Sequence, residues 1–321
     1  MDERFPPIDP SRARTYELGR RDSKVSIESF ASPVEAEGSL EQFLEGLSDL
    51  LAVRSLRGLA RAIVTARRAG RPVIWAMGGH VIKVGLSPVI IRLMERGLIT
   101  GLALNGGAAI HDWEIAANGA TSEDVDRALA DGSFGMAAET GLALNAAAAR
   151  AHAEGCGFGE TLGRSILEQD LPHAGSSLLA AAARLGLPAT LHVAIGSDTV
   201  HLHPSADGSS IGAAALFDFR RLVRVVAGLS GGVWVNCGSA VQLPEVFLKA
   251  LSLARNLGHP VETFATANMD MIRHYRTEEN VLRRPTGRKG QSFNLVGHHE
   301  INVPLLAGAI AVEQRRGTDR A

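Results

Sequence analysis

Apolar positions recur at helical spacing in the first part of the chain and then fall into short runs. Between Leu40 and Ala69 they return every three or four residues, which predicts one or two amphipathic helices. Five β-rich runs follow, each ending in glycine or polar residues: PVIWA (72–76), ITGLAL (99–104), ATLHVAI (189–195), GVWVN (232–236) and VETFATA (261–267). Strands that alternate with helices predict a mostly parallel sheet covered by helices on both faces.

The segments between and before these runs complete the predicted architecture. Residues 212–229 and 243–258 have helical periodicity, and the long stretch 121–187 is helical in pattern without a strand. We therefore expect a helical excursion beside the sheet, with Thr121 as the N-cap of its first helix. Residues 1–38 are predicted to form an N-terminal arm and residues 39–321 a single doubly wound, Rossmann-like α/β domain.

Composition and charge exclude several classes of protein. The 321 residues are 45% hydrophobic and 21% charged, which is typical of a globular chain, and the net charge of −1 gives no basic surplus for nucleic acid. The two cysteines lie far apart and indicate neither a disulfide framework nor a zinc ribbon. Since no apolar run is long enough for an export signal or a membrane span, we expect a soluble, cytoplasmic protein.

Small and polar residues follow every predicted strand. They occupy residues 77–80, 105–114, 196–212, 236–240 and 266–270. Ligands of open parallel sheets bind outside the carboxyl ends of the strands, so this pattern predicts a ligand site along that edge. The motifs G-x-G-x-x-G and G-x-x-x-x-G-K-[ST] are absent, which argues against a conventional dinucleotide-binding dehydrogenase and a P-loop enzyme.

Several histidines lie beside these strand ends. Imidazole exchanges protons near neutral pH, so a histidine at the edge is a candidate general acid or base. The candidates are His80, His111, His203 and His299.

The histidines also leave open a different chemistry. If residues 201–203 form a strand, His201 and His203 lie on one face, and with Asp112 or Glu300 they could bind zinc or iron. We expect no resident metal, but a metal-dependent hydrolase or lyase is one alternative function. A non-catalytic nucleotide-binding module is another.

The order of GGH, NGGAAIHDWE, HLHP, NCGSAV…LARNLG and TAN along residues 71–311 resembles the deoxyhypusine synthase family. The resemblance implies an NAD-binding Rossmann-like fold, a homotetramer built as a dimer of dimers, and NAD-dependent transfer of an aminoalkyl group from a polyamine to an amine acceptor. Carried over by position, it implies a set of cofactor contacts: Gly78, Gly79, Asn105, Gly106, Gly107, Asp112, Gly238, Ser239, Thr266, Ala267 and Asn268.

The substrate half of the family pattern differs in this chain. The family's W-G-K tripeptide is absent, and Lys289 is the only lysine in the comparable region, which makes it a candidate nucleophile. Arginine replaces the acidic residues expected before it, so Arg283, Arg284, Arg288 and Glu300 are predicted to bind substrate. We therefore expect a divergent, bacterial-type relative, an NAD-dependent transferase or synthase acting on a small amine-bearing substrate other than spermidine, anionic or zwitterionic in character.

Overall fold

The computed structural model describes residues 5–287 and 289–318. Six strands form one sheet, and all of them are parallel: β1 Val73–Met77, β2 Gly101–Asn105, β3 Ala189–His192, β4 Val233–Cys237, β5 Ala265–Asp270 and β6 Gln291–Val296. The five predicted strands are present with shifted ends. The sixth, β6, was not predicted, because its residues QSFNLV, of which only Leu295 is buried, give no apolar run.

Thirteen helices accompany the sheet in the described chain. They are α1 Leu40–Gly46, α2 Leu51–Arg68, α3 His80–Lys83, α4 Ser87–Glu95, α5 Gly106–Asn118, α6 Val125–Asp131, α7 Ala138–Glu154, α8 Phe158–Glu168, α9 Leu178–Leu185, α10 Gly208–Ala227, α11 Gln242–Asn256, α12 Tyr275–Thr277, which continues as a π-helix Glu278–Arg283, and α13 His299–Thr318. The predicted excursion between β2 and β3 is confirmed as helices α6–α9, preceded by α5.

The strand order is β3-β2-β1-β4-β5-β6, which is the doubly wound order of Rossmann-like folds. The predicted α/β fold class is thereby confirmed. The chain leaves β1 toward β2 and β3 and returns to the other side at β4, so the connections reverse direction between β1 and β4. Ligands of open α/β sheets bind at this reversal point, outside the carboxyl ends of the strands.

Two hydrophobic cores cover the two faces of the sheet. One contains Trp75 and Met77 of β1 and packs against α2, α4, α5, α7–α9 and α13. The other contains Ile74 and Trp234 and packs against α10, α11 and the π-helix, with Trp234 stacked on Phe247 of α11. Alternate residues of each strand therefore face opposite cores, and both faces of the sheet are buried.

Side-chain caps fix the start of several helices. Ser39 and Gln42 form a capping box at α1, Asn105 caps α5, and Asp207 caps α10. The predicted cap at Thr121 is wrong: α6 begins four residues later and is capped by Asp124, whose carboxylate accepts the Arg127 amide. Thr121 instead contributes its hydroxyl to a hydrogen-bonded network described below.

Residues 5–39 contain three short 3-10 turns and lie almost entirely exposed. None of the helices that the structure describes combines the length and the apolar character needed to cross a bilayer.

Candidate active site at the carboxyl edge of the sheet

The chain segments that leave β1 and β4 touch directly. The Gly78 amide donates to the Cys237 carbonyl at 3.0 Å, and a Cβ on Gly78 would lie 2.1 Å from the Gly238 carbonyl oxygen. Gly238 itself adopts φ +68°, a left-handed conformation that favours glycine. This contact joins the two strand ends at the reversal point through bare backbone, and we refer to this part of the carboxyl edge as the crevice.

Two histidines lie together at the crevice. The ring centroids of His80, which begins α3, and His299, which begins α13, are 5.6 Å apart. His299 is buried, and a Cβ on Gly238 would lie 2.9 Å from its Nε2. Within the described residues that Nε2 has no hydrogen-bond partner. A buried polar atom without a partner is costly, so it marks a position where a ligand atom can bind.

The environment favours the neutral form of His299. Burial lowers its pKa most, and the positive charge of His80 lowers it further, against the opposing effect of the Asp270 carboxylate. Asp270 ends β5 and contacts His274 at 3.8 Å. Burial also raises the pKa of the neighbouring Cys237 thiol, with a further contribution from Asp270. At neutral pH Cys237 is therefore an uncharged thiol and not a nucleophile.

A second group of side chains reaches the crevice from α5. The His111 ring contacts the β1 exit, where a Cβ on Gly79 would lie 2.7 Å from His111 Cδ2. His111 Nδ1 lies 2.7 Å from the Thr121 hydroxyl, which is 2.5 Å from Glu114 Oε2. The Thr140 hydroxyl donates to the other carboxylate oxygen of Glu114 at 3.1 Å. We call these four side chains the His111 network.

Glu114 is the charged end of that network. Its partial burial by itself raises the pKa, but the nearby His111 ring and the hydrogen bonds donated by Thr121 and Thr140 lower the pKa of this carboxyl below its usual range. Glu114 is therefore an anion at neutral pH and accepts hydrogen bonds at both oxygens.

A cavity of about 950 Å³ adjoins the His111 network between α5 and α7. Glu114, Glu123 and Glu139 line it, together with Trp113 and Leu142, and none of its described lining residues is Lys, Arg or His. A concave surface lined by one sign of charge attracts the opposite charge, so this cavity favours cations.

A ladder of asparagines crosses the carboxyl half of the sheet. Asn236, Asn268 and Asn294 lie in register on β4, β5 and β6, and they are joined by hydrogen bonds of 2.9 and 3.4 Å. Asn294 in turn donates to Glu278 at 2.7 Å, while Asn236 Oδ1 is buried without a partner in the described chain. The sequence did not reveal this ladder because its register depends on the unpredicted strand β6.

The position of the ladder corrects part of the predicted cofactor set. Thr266, Ala267 and Asn268 were placed after a strand, but they are fully buried inside β5, which continues to Asp270. The exit of β5 is therefore Asp270 and Met271.

Asp112 also lies elsewhere than predicted. Its buried carboxylate accepts the Ser177 hydroxyl at 2.6 Å and the amides of Leu178 and Leu179 at 2.7 and 3.0 Å, so it caps α9. Burial raises the pKa of Asp112 to about 6, against the opposing effect of these three hydrogen bonds. With both oxygens bound to the start of α9, Asp112 is not placed to contact a cofactor, and that assignment is corrected.

His203 and His201 do not form the predicted strand pair. Thr199–Leu202 is a 3-10 helix, and the His203 ring lies on α7, where a Cβ on Gly141 would be 2.5 Å from its Cγ. His203 Nδ1 is 2.7 Å from the Ser205 hydroxyl within the same loop, and Asn145 of α7 donates to that hydroxyl at 3.0 Å, which holds the β3–α10 loop on α7. In the part of the chain that the structure describes, no three His, Cys, Asp or Glu side chains are arranged to hold a metal ion.

The basic residues before β6 lie away from the crevice. Lys289 precedes β6, at the opposite, amino edge of the sheet, and its ammonium pairs with Glu262 at 2.7 Å. A strand of six residues spans roughly 20 Å, which separates Lys289 from His299. Arg283 and Arg284 are exposed and pair with Glu279. Within this chain, the structure therefore does not bring the candidate nucleophile Lys289 or the candidate substrate residues Arg283 and Arg284 to the crevice, and Arg288 lies outside the described residues.

The remaining predicted residues do lie at the carboxyl edge. Asn105 ends β2 and accepts the Ala108 amide, while the Ser239 hydroxyl accepts the Leu243 amide at the start of α11. Gly106 is covered by the Asp198 carboxylate, but a Cβ on Gly107 would meet only Asn105 Oδ1 at 3.7 Å. Glu300 is exposed in the first turn of α13, beside His298. The edge thus retains open backbone at Gly107.

Two residues at this edge escaped the sequence analysis. His192 ends β3, and its burial lowers its pKa to about 4, so it is a neutral core residue bonded to Thr190 at 3.0 Å. Asp270 was known as a strand-end carboxylate but not as the neighbour of His299. The available signal was a polar residue inside the apolar run 189–195 for His192, and a carboxylate shortly after the run 261–267 for Asp270.

No protein-family model and no curated protein sequence matches this chain. Solved structures do match it. A conserved LOR/SDH-type protein from Methanococcus maripaludis S2 aligns with 84% of this chain and 71% of its own, at 16% identity and a TM-score of 0.51. AgrE, solved as a ternary complex with ornithine and NAD+, aligns with 86% of this chain but only 35% of its own length, at 14% identity and a TM-score of 0.51.

These likenesses support the Rossmann-like fold alone, because the identities are low and this chain spans about a third of AgrE. A deoxyhypusine synthase-type protein from Entamoeba histolytica also aligns, with 88% of this chain and 97% of its own at 10% identity. Its TM-score of 0.45 is too low to support the family resemblance.

Proposed function

We propose that this chain binds NAD in the crevice between the exits of β1 and β4 and oxidises a small amine-bearing substrate there. The observation that carries the proposal is the reversal point itself, where bare backbone and the unpartnered Nε2 of buried His299 meet. AgrE, which shares the fold, is described in complex with NAD+.

The chain lacks the G-x-G-x-x-G motif, so we propose that the carboxyl edge binds a dinucleotide mainly through backbone atoms. Helix α3, after β1, has only four residues and offers little of a helix N-terminus, but the longer α5 and α11 begin at the exits of β2 and β4. Gly107, Ser239 and His299 are the residues that would hold the cofactor. Open backbone at Gly107 lets a pyrophosphate approach closely.

The acidic cavity supports a cationic substrate. Its three glutamates are matched by no basic residue among its described lining, whereas the exposed arginines Arg283 and Arg284 are already paired. The arginine-rich sequence predicts an anionic or zwitterionic substrate, whereas this cavity favours a cationic one. The substrate that we propose still carries an amine. We propose that the glutamates of this cavity attract the substrate's positive charge and that its reacting nitrogen then lies at the crevice, beside His111.

When bound, NAD accepts a hydride from the carbon next to the substrate nitrogen, which becomes an iminium carbon. An ammonium group must lose a proton before that hydride can leave, so the site must supply a base. His111 contacts the crevice at Gly79 and lies beside the cavity through Thr121, which places its ring between the two.

The second part of the proposal is the transfer of the substrate's carbon group from one nitrogen to another. A second amine would take the place of the original nitrogen, which would leave as an amine or ammonia, and the bound cofactor would supply the hydride back to the same carbon. The net products are a new secondary amine and unchanged NAD. Mass spectrometry of the reaction with two amines, one isotopically labelled, tests this step.

The first experiment measures NAD affinity by isothermal titration calorimetry. In Gly107→Val the added Cβ would meet only Asn105 Oδ1, at 3.7 Å, and we expect at least a tenfold loss of affinity, equivalent to about 1.4 kcal/mol. Gly212→Val, at an open glycine of α10, is the matched control. If the wild type does not bind NAD, or if both variants bind equally well, the proposed cofactor site is wrong.

The second experiment follows NAD reduction with a panel of small mono- and diamines. We expect Glu139→Gln to raise KM for the amine with little effect on kcat, because an exposed lining charge attracts the substrate but takes no proton. NAD binding without amine-dependent reduction would instead support the non-catalytic nucleotide-binding module.

We also propose that the chain forms a homo-oligomer. Exposed apolar side chains follow the exits of four strands, from β3 to β6: Ile195, Val241, Ile272 and Ile301 are 55–70% exposed. Large apolar side chains exposed along one edge of the sheet favour burial against another protein surface.

A further inference from the structure

We propose that Thr121 and Glu114 are positioning residues that hold His111 with its proton on Nδ1, which leaves Nε2 as the proton acceptor at the crevice. The proposal rests on the proposed function for its catalytic consequence. Its structural core, the tautomer of His111, is independent of any substrate.

The donors and acceptors available in the His111 network determine the direction of each hydrogen bond. A threonine hydroxyl has one proton, and an ionised carboxylate can only accept. Thr121 lies 2.5 Å from Glu114 Oε2, so its proton points to the carboxylate. Its oxygen must then accept at the 2.7 Å contact with His111 Nδ1, which therefore carries a proton.

The carboxylate is held in place from its other side. Thr140, buried on α7, donates to Glu114 Oε1 at 3.1 Å, so neither oxygen of Glu114 is free to rotate away. The lowered pKa of Glu114 supports the ionised form that this arrangement requires. The three partners come from α5, the loop before α6, and α7, so the network forms only when the excursion has packed beside the sheet.

The other side of the ring faces the crevice. His111 Cδ2, the carbon bonded to Nε2, is the atom that contacts the Gly79 position at the exit of β1. A neutral ring protonated at Nδ1 presents its lone pair at Nε2. This nitrogen would take the proton from the substrate ammonium before the hydride leaves, and the resulting positive ring, whose Nδ1 lies 3.8 Å from Glu114 Oε2, would be stabilised by that carboxylate.

The test reads the tautomer directly from proton–nitrogen correlation spectra of the full chain with nitrogen-labelled histidine. The His111 signals are assigned by their loss in His111→Gln. We expect Nδ1–H in the wild type. In Thr121→Val the hydroxyl acceptor is gone, and the ring should revert to Nε2–H, the form that free neutral imidazole favours. Thr121→Ser keeps the hydroxyl and should keep Nδ1–H.

Glu114 variants test the relay through Thr121. In Glu114→Ala the Thr121 proton loses its acceptor and turns to His111 Nδ1, so the tautomer should switch although no atom bonded to His111 has been removed. Glu114→Gln retains an acceptor oxygen and should preserve Nδ1–H. Unchanged tautomers in both Thr121→Val and Glu114→Ala, with folding verified by circular dichroism, would overturn the proposal.

Kinetics connect the tautomer to catalysis. In Thr121→Val we expect kcat for amine-dependent NAD reduction to fall by about tenfold or more, with NAD affinity unchanged and activity retained in Thr121→Ser. If the tautomer switches but wild-type kcat persists, the network does not position a base. If the wild type shows Nδ1–H but reduces no NAD with any amine, the proposed function fails and the positioning role of Thr121 and Glu114 stands.

Discussion

Asp112→Asn tests whether this buried carboxylate caps α9 or binds a cofactor. The pKa of Asp112 is raised from 3.8 to about 6 by burial, so the folded chain retains a proton that the unfolded chain has lost. The stability contributed by that proton is fully present below about pH 4 and is lost as the pH rises through about 6. At 1.36 kcal/mol per pH unit, the difference amounts to about 3 kcal/mol.

Asparagine removes the ionisation while keeping one acceptor oxygen. Its amide nitrogen faces the Leu179 amide where a carboxylate oxygen had accepted, so at pH 4 the variant should be less stable than the wild type by about 1–3 kcal/mol. Between pH 4 and pH 7 the difference in unfolding free energy should shift toward the variant by about 3 kcal/mol, because only the wild type must bury a charge.

Urea unfolding at each pH measures this difference, with Asp126→Asn on the exposed face of α6 as the control. NAD affinity should be the same in Asp112→Asn and wild type. A pH-independent stability difference would refute the raised pKa. A tenfold loss of NAD affinity in a variant of normal fold would refute the assignment of Asp112 to helix capping alone.

The remaining predictions concern the crevice, the opposite edge and the oligomer. Gly78→Ala should destabilise the chain by about 1–3 kcal/mol, measured by urea unfolding, because its Cβ would lie 2.1 Å from the Gly238 carbonyl oxygen. Lys289→Ala should change the unfolding free energy by less than about 1 kcal/mol and leave NAD-dependent activity unchanged, since it breaks only an exposed ion pair with Glu262. Light scattering after size-exclusion chromatography should find an oligomer whose mass falls toward 33.9 kDa in Ile272→Glu.

Each of these has a definite contrary result. A stable Gly78→Ala variant would mean that the β1 and β4 exits can separate without cost. A large loss of kcat in Lys289→Ala would support Lys289 as the catalytic nucleophile. A monomeric wild type would contradict the homo-oligomer.

Local patterns in the sequence were sufficient to predict much of the fold. The runs around Trp75 and Trp234 are buried on both faces, so they are apolar throughout and visible as strands, and the histidine and glycines after β1 directly follow such a run. Parallel strands place all their carboxyl ends at one edge, so the sequence alone could locate the candidate site there. It could also nominate His80, His111 and His299.

Tertiary structure decided which of these residues meet and which do not. The edge strand β6 is too exposed to show an apolar pattern, and without it the asparagine ladder and the true exit of β5 at Asp270 could not be located. Lys289 and His299 flank the same short strand in sequence, yet the strand carries them to opposite edges.

Contacts between distant segments decided the chemistry of individual side chains. Asp112 and Glu114 are two positions apart on α5, so they point to different neighbours: one caps α9, and the other joins Thr121, Thr140 and His111. A sequence specifies the side chain but not the partner that packing brings against it, and hydrogen bonds act only over about 3 Å. The sequence therefore determined the sheet and its ligand-binding edge, whereas only the packed excursion decided which carboxylate is structural and which can orient a base.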